Sequence, residues 1–170
     1  MAEHVPRFVW GHININVSNL ERSIEFYQKL GFEMFIPAIA YLGLTMDPGP
    51  AALSGPSARA LGLRAGTRAR ACIMQLDGGF PKIDLTELAG AAGQSPLTSA
   101  DVGLVRLCLA TSNLRKDYER LIAQGVPFLT PPQTGYDGLA DIAVCADPDG
   151  TLIELLQVYL EKWPNVASGD

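Results

Sequence analysis

The sequence predicts an α+β protein built from two tandem βαβββ modules, and three observations carry that expectation. First, the chain repeats itself. Residues 12–35 and 106–129 superimpose without a gap at a shift of 94, matching Ser18 with Ser112, Asn19 with Asn113, Leu20 with Leu114, Glu25 with Glu119 and Gly31 with Gly125. Second, each copy opens with period-two alternation and then switches to helical spacing. Third, each copy is followed by apolar segments bounded by strong turn signals.

The elements follow in order. Ile13, Ile15 and Val17 alternate with His12, Asn14 and Asn16, the pattern of a strand with two different faces. Ser18 followed by Glu21 fits a capping box, so a helix is expected to start there. Ile24, Tyr27 and Leu30 give it an apolar stripe and Gly31 closes it. Further strands are expected near 31–37, 68–77 and 81–89, with Asp77-Gly78-Gly79 as a hairpin turn. The second copy predicts a strand at 104–110 and a helix at 113–123 stopped by Gly125. Its remaining strands are expected at 126–130, 140–146 and 151–159, with Asp147-Pro148-Asp149-Gly150 as the last turn. Arg115 stands where the first copy has its capping glutamate, which predicts a less secure helix start. The first module is longer by residues 37–66, rich in Pro, Gly, Ala and Ser, which read either as a surface insertion or as a lid. Ser57 to Leu63 suits a short helix within it. The expected domains are therefore 1–100 with the insertion, 101–160, and a tail at 161–170.

Composition narrows the function. The chain has 170 residues, 48% hydrophobic and 18% charged, enough to bury a core in one domain or two small ones. A net charge of −5, with no basic stripe, argues against nucleic acid. No apolar run suits a membrane span or a signal peptide. Cys72, Cys108 and Cys145 are odd in number and widely spaced, as expected of reduced core residues in a cytoplasmic protein.

Strand phase places His12 with Asn14 and Asn16, and Arg106 with Cys108 and Ala110. Two glutamates lie in apolar strands, Glu87 in Ile-Asp-Leu-Thr-Glu-Leu and Glu154 in Thr-Leu-Ile-Glu-Leu-Leu. A carboxylate among leucines needs a cation, a metal or a hydrogen-bonding partner. Their recurrence in a duplicated module points to a site.

The opening His12 strand with Val-Ser-Asn-Leu-Glu-Arg-Ser-Ile-Glu-Phe-Tyr-Gln-Lys-Leu-Gly-Phe, and the ending Asp-Pro-Asp-Gly-Thr-Leu-Ile-Glu-Leu, resemble the vicinal-oxygen-chelate superfamily. That superfamily includes glyoxalase I, methylmalonyl-CoA epimerase, extradiol dioxygenases and bleomycin-resistance proteins. The resemblance runs from about residue 8 to 160. It implies a glyoxalase-like fold in which paired modules form a cupped mixed sheet around a central site, commonly in a homodimer. It also implies a divalent metal (Mn, Fe, Co, Ni or Zn) at positions that fall on His12, Glu87, Arg106 and Glu154. The first, second and fourth of these are proper ligands. Arg106 is not, because a guanidinium has no lone pair to donate.

Two outcomes follow. Either His12, Glu87 and Glu154 hold a metal while Arg106 binds an anionic substrate group, or Arg106 is itself the cation between the glutamates and the site has no metal. The leading functional reading is a small-molecule enzyme of the isomerase, epimerase or lyase kind. Its chemistry would centre on Glu87, Glu154 and Arg106, with Asn14, Asn16, Arg106 and Tyr136 as substrate contacts. The rival is a metal-free binding protein of the antibiotic-sequestering kind.

Overall fold

The computed structural model describes residues 8–91 and 95–163. The chain divides into two compact units, Met1–Ala92 and Gly93–Asp170. In the first unit the elements are β1 (His12–Val17), α1 (Leu20–Lys29), β2 (Glu33–Ile36), β3 (Ala38–Ile39), β4 (Leu44–Thr45), β5 (Ala51–Ala52), α2 (Gly55–Ala60), β6 (Arg68–Gln75) and β7 (Lys82–Leu88). Its sheet runs β1-β7-β6-β2, with β5 also on β6. β1 and β7 are parallel and the other pairs are antiparallel.

The second unit contains β8 (Arg106–Ala110), α3 (Leu114–Ala123), β9 (Phe128–Thr134), β10 (Ala140–Ala146) and β11 (Leu152–Val158). Its sheet runs β8-β11-β10-β9, and again the first and last strands are the parallel pair. Both units are therefore βαβββ frames, and the architecture is the α+β, glyoxalase-like one. No helix among the described residues is long and apolar enough to cross a membrane.

Each sheet buries one face under its helix. In the first unit Ile15, Val17, Ile83 and Leu85 meet Leu20, Phe26 and Tyr27, and Tyr27 packs edge-on against Phe26 and Phe32 at 5.2 and 5.6 Å between centroids. In the second, Leu114 and Leu121 cover Ile153, Leu155 and Cys145, with Tyr118 edge-on to Phe128 at 4.7 Å. Both helices stop in the same way. The amide of Phe32 donates to the carbonyl of Tyr27 and that of Val126 to Leu121, each at 3.0 Å, across glycines at φ 97° and 78°.

The helix starts differ from the sequence expectation. Asn19, not Ser18, is the N-cap, accepting from the amide of Arg22 at 2.8 Å, and Asn113 does the same for Lys116 at 3.1 Å. The α3 start is thus as well capped as that of α1, despite Arg115. A second acceptor reaches each helix from the last strand. Glu87 Oε2 accepts from the amide of Leu20 at 2.7 Å, and Gln157 Oε1 accepts from that of Leu114 at 2.9 Å. Because these amides have no partner within their helices, the strand residue ties the helix to the sheet.

The long connection of the first unit is folded. Ile39, Leu44, Leu53 and Ala58 are buried with Ala69 and Ala71 of β6 in a satellite core. Ser54 caps α2, which begins a little earlier than the sequence suggests. The hairpin turn at Asp77-Gly78 has φ of 51° and 65°, as the sequence signal requires. In the last turn Asp147 is buried and its Oδ1 accepts from the amides of Asp149 and Thr151. Cys72 and Cys145 lie in the cores as expected, whereas Cys108 is exposed because it shares the open face of β8.

Replacing Glu87 by Ala leaves both the Leu20 amide and the half-buried Arg70 guanidinium short of a partner. We expect a loss of about 3 kcal/mol in urea unfolding, with Glu87→Gln losing less because the amide still accepts from Leu20. A second measurement reads pH. Arg70, bonded to Glu21, holds the Glu21 carboxyl below its ordinary 4.5. The folded state thus binds fewer protons there. Its stabilising contribution is present above pH 4.5 and is lost as pH falls through the lowered value. Because Glu21 is exposed, the difference between wild type and Glu21→Gln should reach no more than about 1 kcal/mol at pH 7 and vanish in acid.

Candidate functional site

Opposite the α1 face of the first sheet lies a polar row. Parallel pairing sets His12 beside Lys82, Asn14 beside Asp84 and Asn16 beside Thr86, so these side chains share one face. His12 Nε2 lies 3.3 Å from Asp84 Oδ2, and Asn14 Nδ2 donates to the Thr86 hydroxyl at 2.8 Å. Asp84 is only 1% exposed, and its Oδ1 has no hydrogen-bond partner. Burial pushes the Asp84 carboxyl above the ordinary carboxylate range, and the charge of His12 opposes that rise.

All of this row but Lys82 lines a cavity of about 200 Å³. The inserted segment contributes Tyr41, Leu42, Leu44, Leu53, Leu61 and Leu63 to its lining, and Ala69 and Leu88 of the sheet complete it. The insertion is thereby a packed element of the first unit whose side chains line the same cavity as the polar row. Burial, followed by the nearby Asp84 charge, raises the Tyr41 phenol. Lys82 does not line the cavity. Its ammonium sits 4.1 Å from the Phe35 ring centroid and 4.6 Å from that of Phe80, and donates to Gln75.

The corresponding row in the second unit differs in chemistry. β8 pairs Arg106 with Leu152 and Cys108 with Glu154. Arg106 Nε donates to Glu154 Oε2 at 2.5 Å, and Cys108 Sγ lies 3.6 Å from Oε1. Burial first, then the Glu154 charge, raises the Cys108 thiol, so it is held as a thiol and not a nucleophilic thiolate.

Register corrects one assignment. Asn14 pairs with Asp84 as Cys108 pairs with Glu154, so the first-unit counterpart of Glu154 is Asp84. Glu87 lies on the helix side, where its Oε2 accepts from the Leu20 amide and from Arg70 Nη2 at 2.8 Å. Its counterpart is Gln157. The expectation that Glu87 joins His12 in chemistry or metal binding therefore fails within the first unit, because an odd offset along a strand reverses the face. The Asp84 position was visible in Ile83-Asp84-Leu85-Thr86, where alternation isolates Asp84 and Thr86 on one side.

Of the remaining expected contacts, Asn14 and Asn16 line the cavity. Tyr136 is exposed, in a short turn ahead of β10, next to Asp137 at φ 50°. The proposed metal set of His12, Glu87 and Glu154 does not fit an ion. Glu87 is committed to the helix and to Arg70, and Glu154 is neutralised by Arg106. No three His, Cys, Asp or Glu side chains gather into an ion-holding group among the described residues. His12 and Asp84 alone fall short of the ligand count of such a centre.

Comparison with known proteins places this geometry. Residues 10–155 match the model of the Glyoxalase/Bleomycin resistance protein/Dioxygenase superfamily. Similar solved structures include a glyoxalase family protein from Bacillus cereus, 18% identical with a TM-score of 0.69, covering 93% of this chain and 98% of that one. The trypanothione-dependent glyoxalase I of Leishmania major is 18% identical with a TM-score of 0.57, covering 89% and 87%. Glyoxalase I from Zea mays is 17% identical with a TM-score of 0.59, covering 86% of this chain, which spans only 43% of the maize protein. No curated protein matches in sequence. With its two βαβββ units and a family match over most of its length, the chain belongs to the Glyoxalase/Bleomycin resistance protein/Dioxygenase superfamily.

Proposed function

We propose that this chain is a small-molecule enzyme of the glyoxalase type that moves a proton at a carbon next to a carbonyl, as an isomerase, epimerase or lyase does. The observation that carries the reading is the His12–Asp84 pair on the lining of an open cavity. With Nε2 turned to a buried carboxylate, His12 is held in one orientation, and its Nδ1 is left to take a proton. Asp84 is then a positioning residue. It holds the ring and stabilises the imidazolium formed in the transfer. Asn14 and Asn16 supply amides that can donate to a substrate carbonyl, where negative charge develops as the proton leaves. The electron pair of the broken C–H bond moves onto that oxygen, and His12 returns the proton to the same carbon or, in a hydroxy ketone whose hydroxyl proton passes to that oxygen, to the former carbonyl carbon as the second oxygen becomes the carbonyl.

The reading is metal-independent: His12 and Asp84 have the donor chemistry of ligands but not the number a metal centre needs, and acid–base work needs only the pair. The Arg106–Glu154 pair supports it: the cation that would hold a second carboxylate is already covalently part of the chain. A homodimer remains the assembly that the family resemblance favours, and the free, widely spaced cysteines favour a cytoplasmic location. A second reading, a non-catalytic binding protein, is supported by the leucine-rich part of the lining, because an apolar cavity alone suffices to hold a ligand.

Two measurements test the proposal. Exchange of the proton next to the carbonyl for deuterium, followed by NMR across a panel of small ketones and hydroxy ketones, should be catalysed by the wild type. His12→Ala should lower the rate by about 10² to 10⁴. Asp84→Asn should lower kcat with little change in KM, and Glu87→Gln should stay within about twofold wherever the fold is retained. Exchange that is absent, or untouched by His12→Ala, overturns catalysis in favour of binding. Elemental analysis of protein purified without chelator should show no stoichiometric metal, with Arg106→His examined alongside. A loaded wild type would defeat the metal-independent reading.

A further inference from the structure

Proton transfer at carbon is half of an isomerisation. As the C–H bond breaks, charge develops on the carbonyl oxygen, and in a hydroxy ketone one proton has to travel from the hydroxyl oxygen to that oxygen. His12 cannot carry it, because it holds the carbon proton at that moment. Among the described residues, three titratable side chains line the cavity: His12, Asp84 and Tyr41. The first two face each other at 3.3 Å. The amides of Asn14 and Asn16 can donate hydrogen bonds but do not release a proton at working pH, and Asn14 Nδ2 already donates to Thr86. The Tyr41 phenol is the acid left over, and its hydroxyl makes no hydrogen bond with another described residue.

The local fold presents this side chain to the cavity. Tyr41 sits in the tight turn Ala40–Leu42 between β3 and β4, closed by the Gly43 amide donating to the Ala40 carbonyl at 3.0 Å. On either side of the turn Ile39 and Leu44 pair across the hairpin, and both are buried in the satellite core. The Met46 amide donates to the Pro37 carbonyl at 3.0 Å and ties the base. An exposed ring at the tip of a hairpin with a buried base is positioned without being packed away. Partial burial, followed by the Asp84 charge, raises the phenol, so it carries its proton at neutral pH. The second of these causes also places Tyr41 within electrostatic reach of the carboxylate that orients His12. Once His12 has taken the carbon proton, its positive charge beside Asp84 offsets that carboxylate, and release of the phenol proton is opposed less.

We propose that Tyr41 is the catalytic acid of this site and carries protons between the substrate oxygens while His12 carries the one on carbon. The role rests on the proton-transfer reading above and adds a residue to it. The Tyr41 O–H bond breaks as its proton passes to the carbonyl oxygen, which becomes a hydroxyl. The resulting enediol gives the proton of its other hydroxyl to the phenolate, and that second oxygen becomes the carbonyl. The electron pair of the carbon–carbon double bond takes the proton back from His12 at the former carbonyl carbon. Both side chains end as they began, and no oxidant or reductant is consumed.

The test separates the two proton paths. The intact chain is incubated in heavy water with hydroxyacetone and with dihydroxyacetone, and NMR follows both loss of the carbon-bound proton and appearance of the isomeric hydroxy aldehyde. Tyr41→Phe keeps the ring and removes the hydroxyl. Isomerisation should fall by about 10² to 10³, exchange by no more than about tenfold, and KM should stay within about twofold. Product formed per exchange event should therefore drop at least about tenfold, a ratio that a merely structural role for the ring would leave unmoved. A ratio in Tyr41→Phe equal to that of the wild type, with exchange still dependent on His12, would overturn the role of Tyr41 and leave the proton-transfer reading standing. Wild-type exchange without any isomer formed would do the same. Exchange absent from the wild type with both probes would overturn the reading and the role together, so the two failures are distinct.

Discussion

Parallel pairing between the first and last strands of each unit is the constraint on which the rest depends. β1 against β7 and β8 against β11 each close a βαβββ frame, and each fixes two facing relationships at once. On the open face it sets a carboxylate beside the opening strand: Asp84 against His12 and Asn14, Glu154 against Arg106 and Cys108. Three residues further on and on the opposite face, it sets an acceptor at the helix start, Glu87 for α1 and Gln157 for α3. A slip of one residue in either pair would reverse every side chain, exposing leucines and burying the polar row. Site and helix anchorage are therefore one register, read on two faces.

That coupling explains why Glu87 is easily mistaken for a reactive group. Leucines stand on either side of the Thr86-Glu87 pair and its partners are remote: a helix amide 67 residues away and the Arg70 guanidinium on the adjacent strand. Arg70 in turn binds Glu21 of α1, so a chain of charges runs from helix to sheet and secures the α1 side of the core. Gln157 performs the anchoring without a charge. This shows that the amide-accepting role, and not acid–base capacity, is what the position requires.

Most of the frame was legible in the sequence because repetition and alternation are local signals. The helices, the β6–β7 hairpin turn and the Asp147 turn fall where the repeat and the turn chemistry put them. The helix starts were off by one residue, since Ser18 and Asn19 both suit a cap and only backbone geometry chooses between them. Site pairing was the harder part. His12 and the face of β1 follow from alternation, but the residue opposite them depends on how far β7 slides along β1, and the insertion of variable length hides that offset. Asp84 was therefore passed over for Glu87, although matching Glu87 to Gln157 as the polar residue near the end of each last strand would have exposed the correct register. The inserted part of the lining was invisible for another reason. Leu42, Leu53 and Leu63 have no periodicity, and only their packing with Ala69 and Ala71 shows that the segment folds back to line the same cavity as the polar row.

The two open faces, alike in backbone, differ in how a carboxylate is balanced. In the second unit Arg106 lies directly on Glu154, a fixed cation that leaves the carboxylate satisfied. In the first, His12 faces one oxygen of Asp84 and leaves the other unpaired. A satisfied pair is a stable end state. An unsatisfied, buried carboxylate beside an imidazole is one the fold tolerates at a cost in stability, and such costs concentrate at functional sites. Duplication thus yielded two equal frames, and a single substitution class, histidine against arginine at the head of the opening strand, separates a face whose carboxylate is held by a fixed cation from one whose carboxylate is left partly unpaired. It is on this face that side chains of the 37–66 segment line a cavity, and the coincidence of a buried, partly unpaired carboxylate with that cavity is the strongest physical reason to place function there.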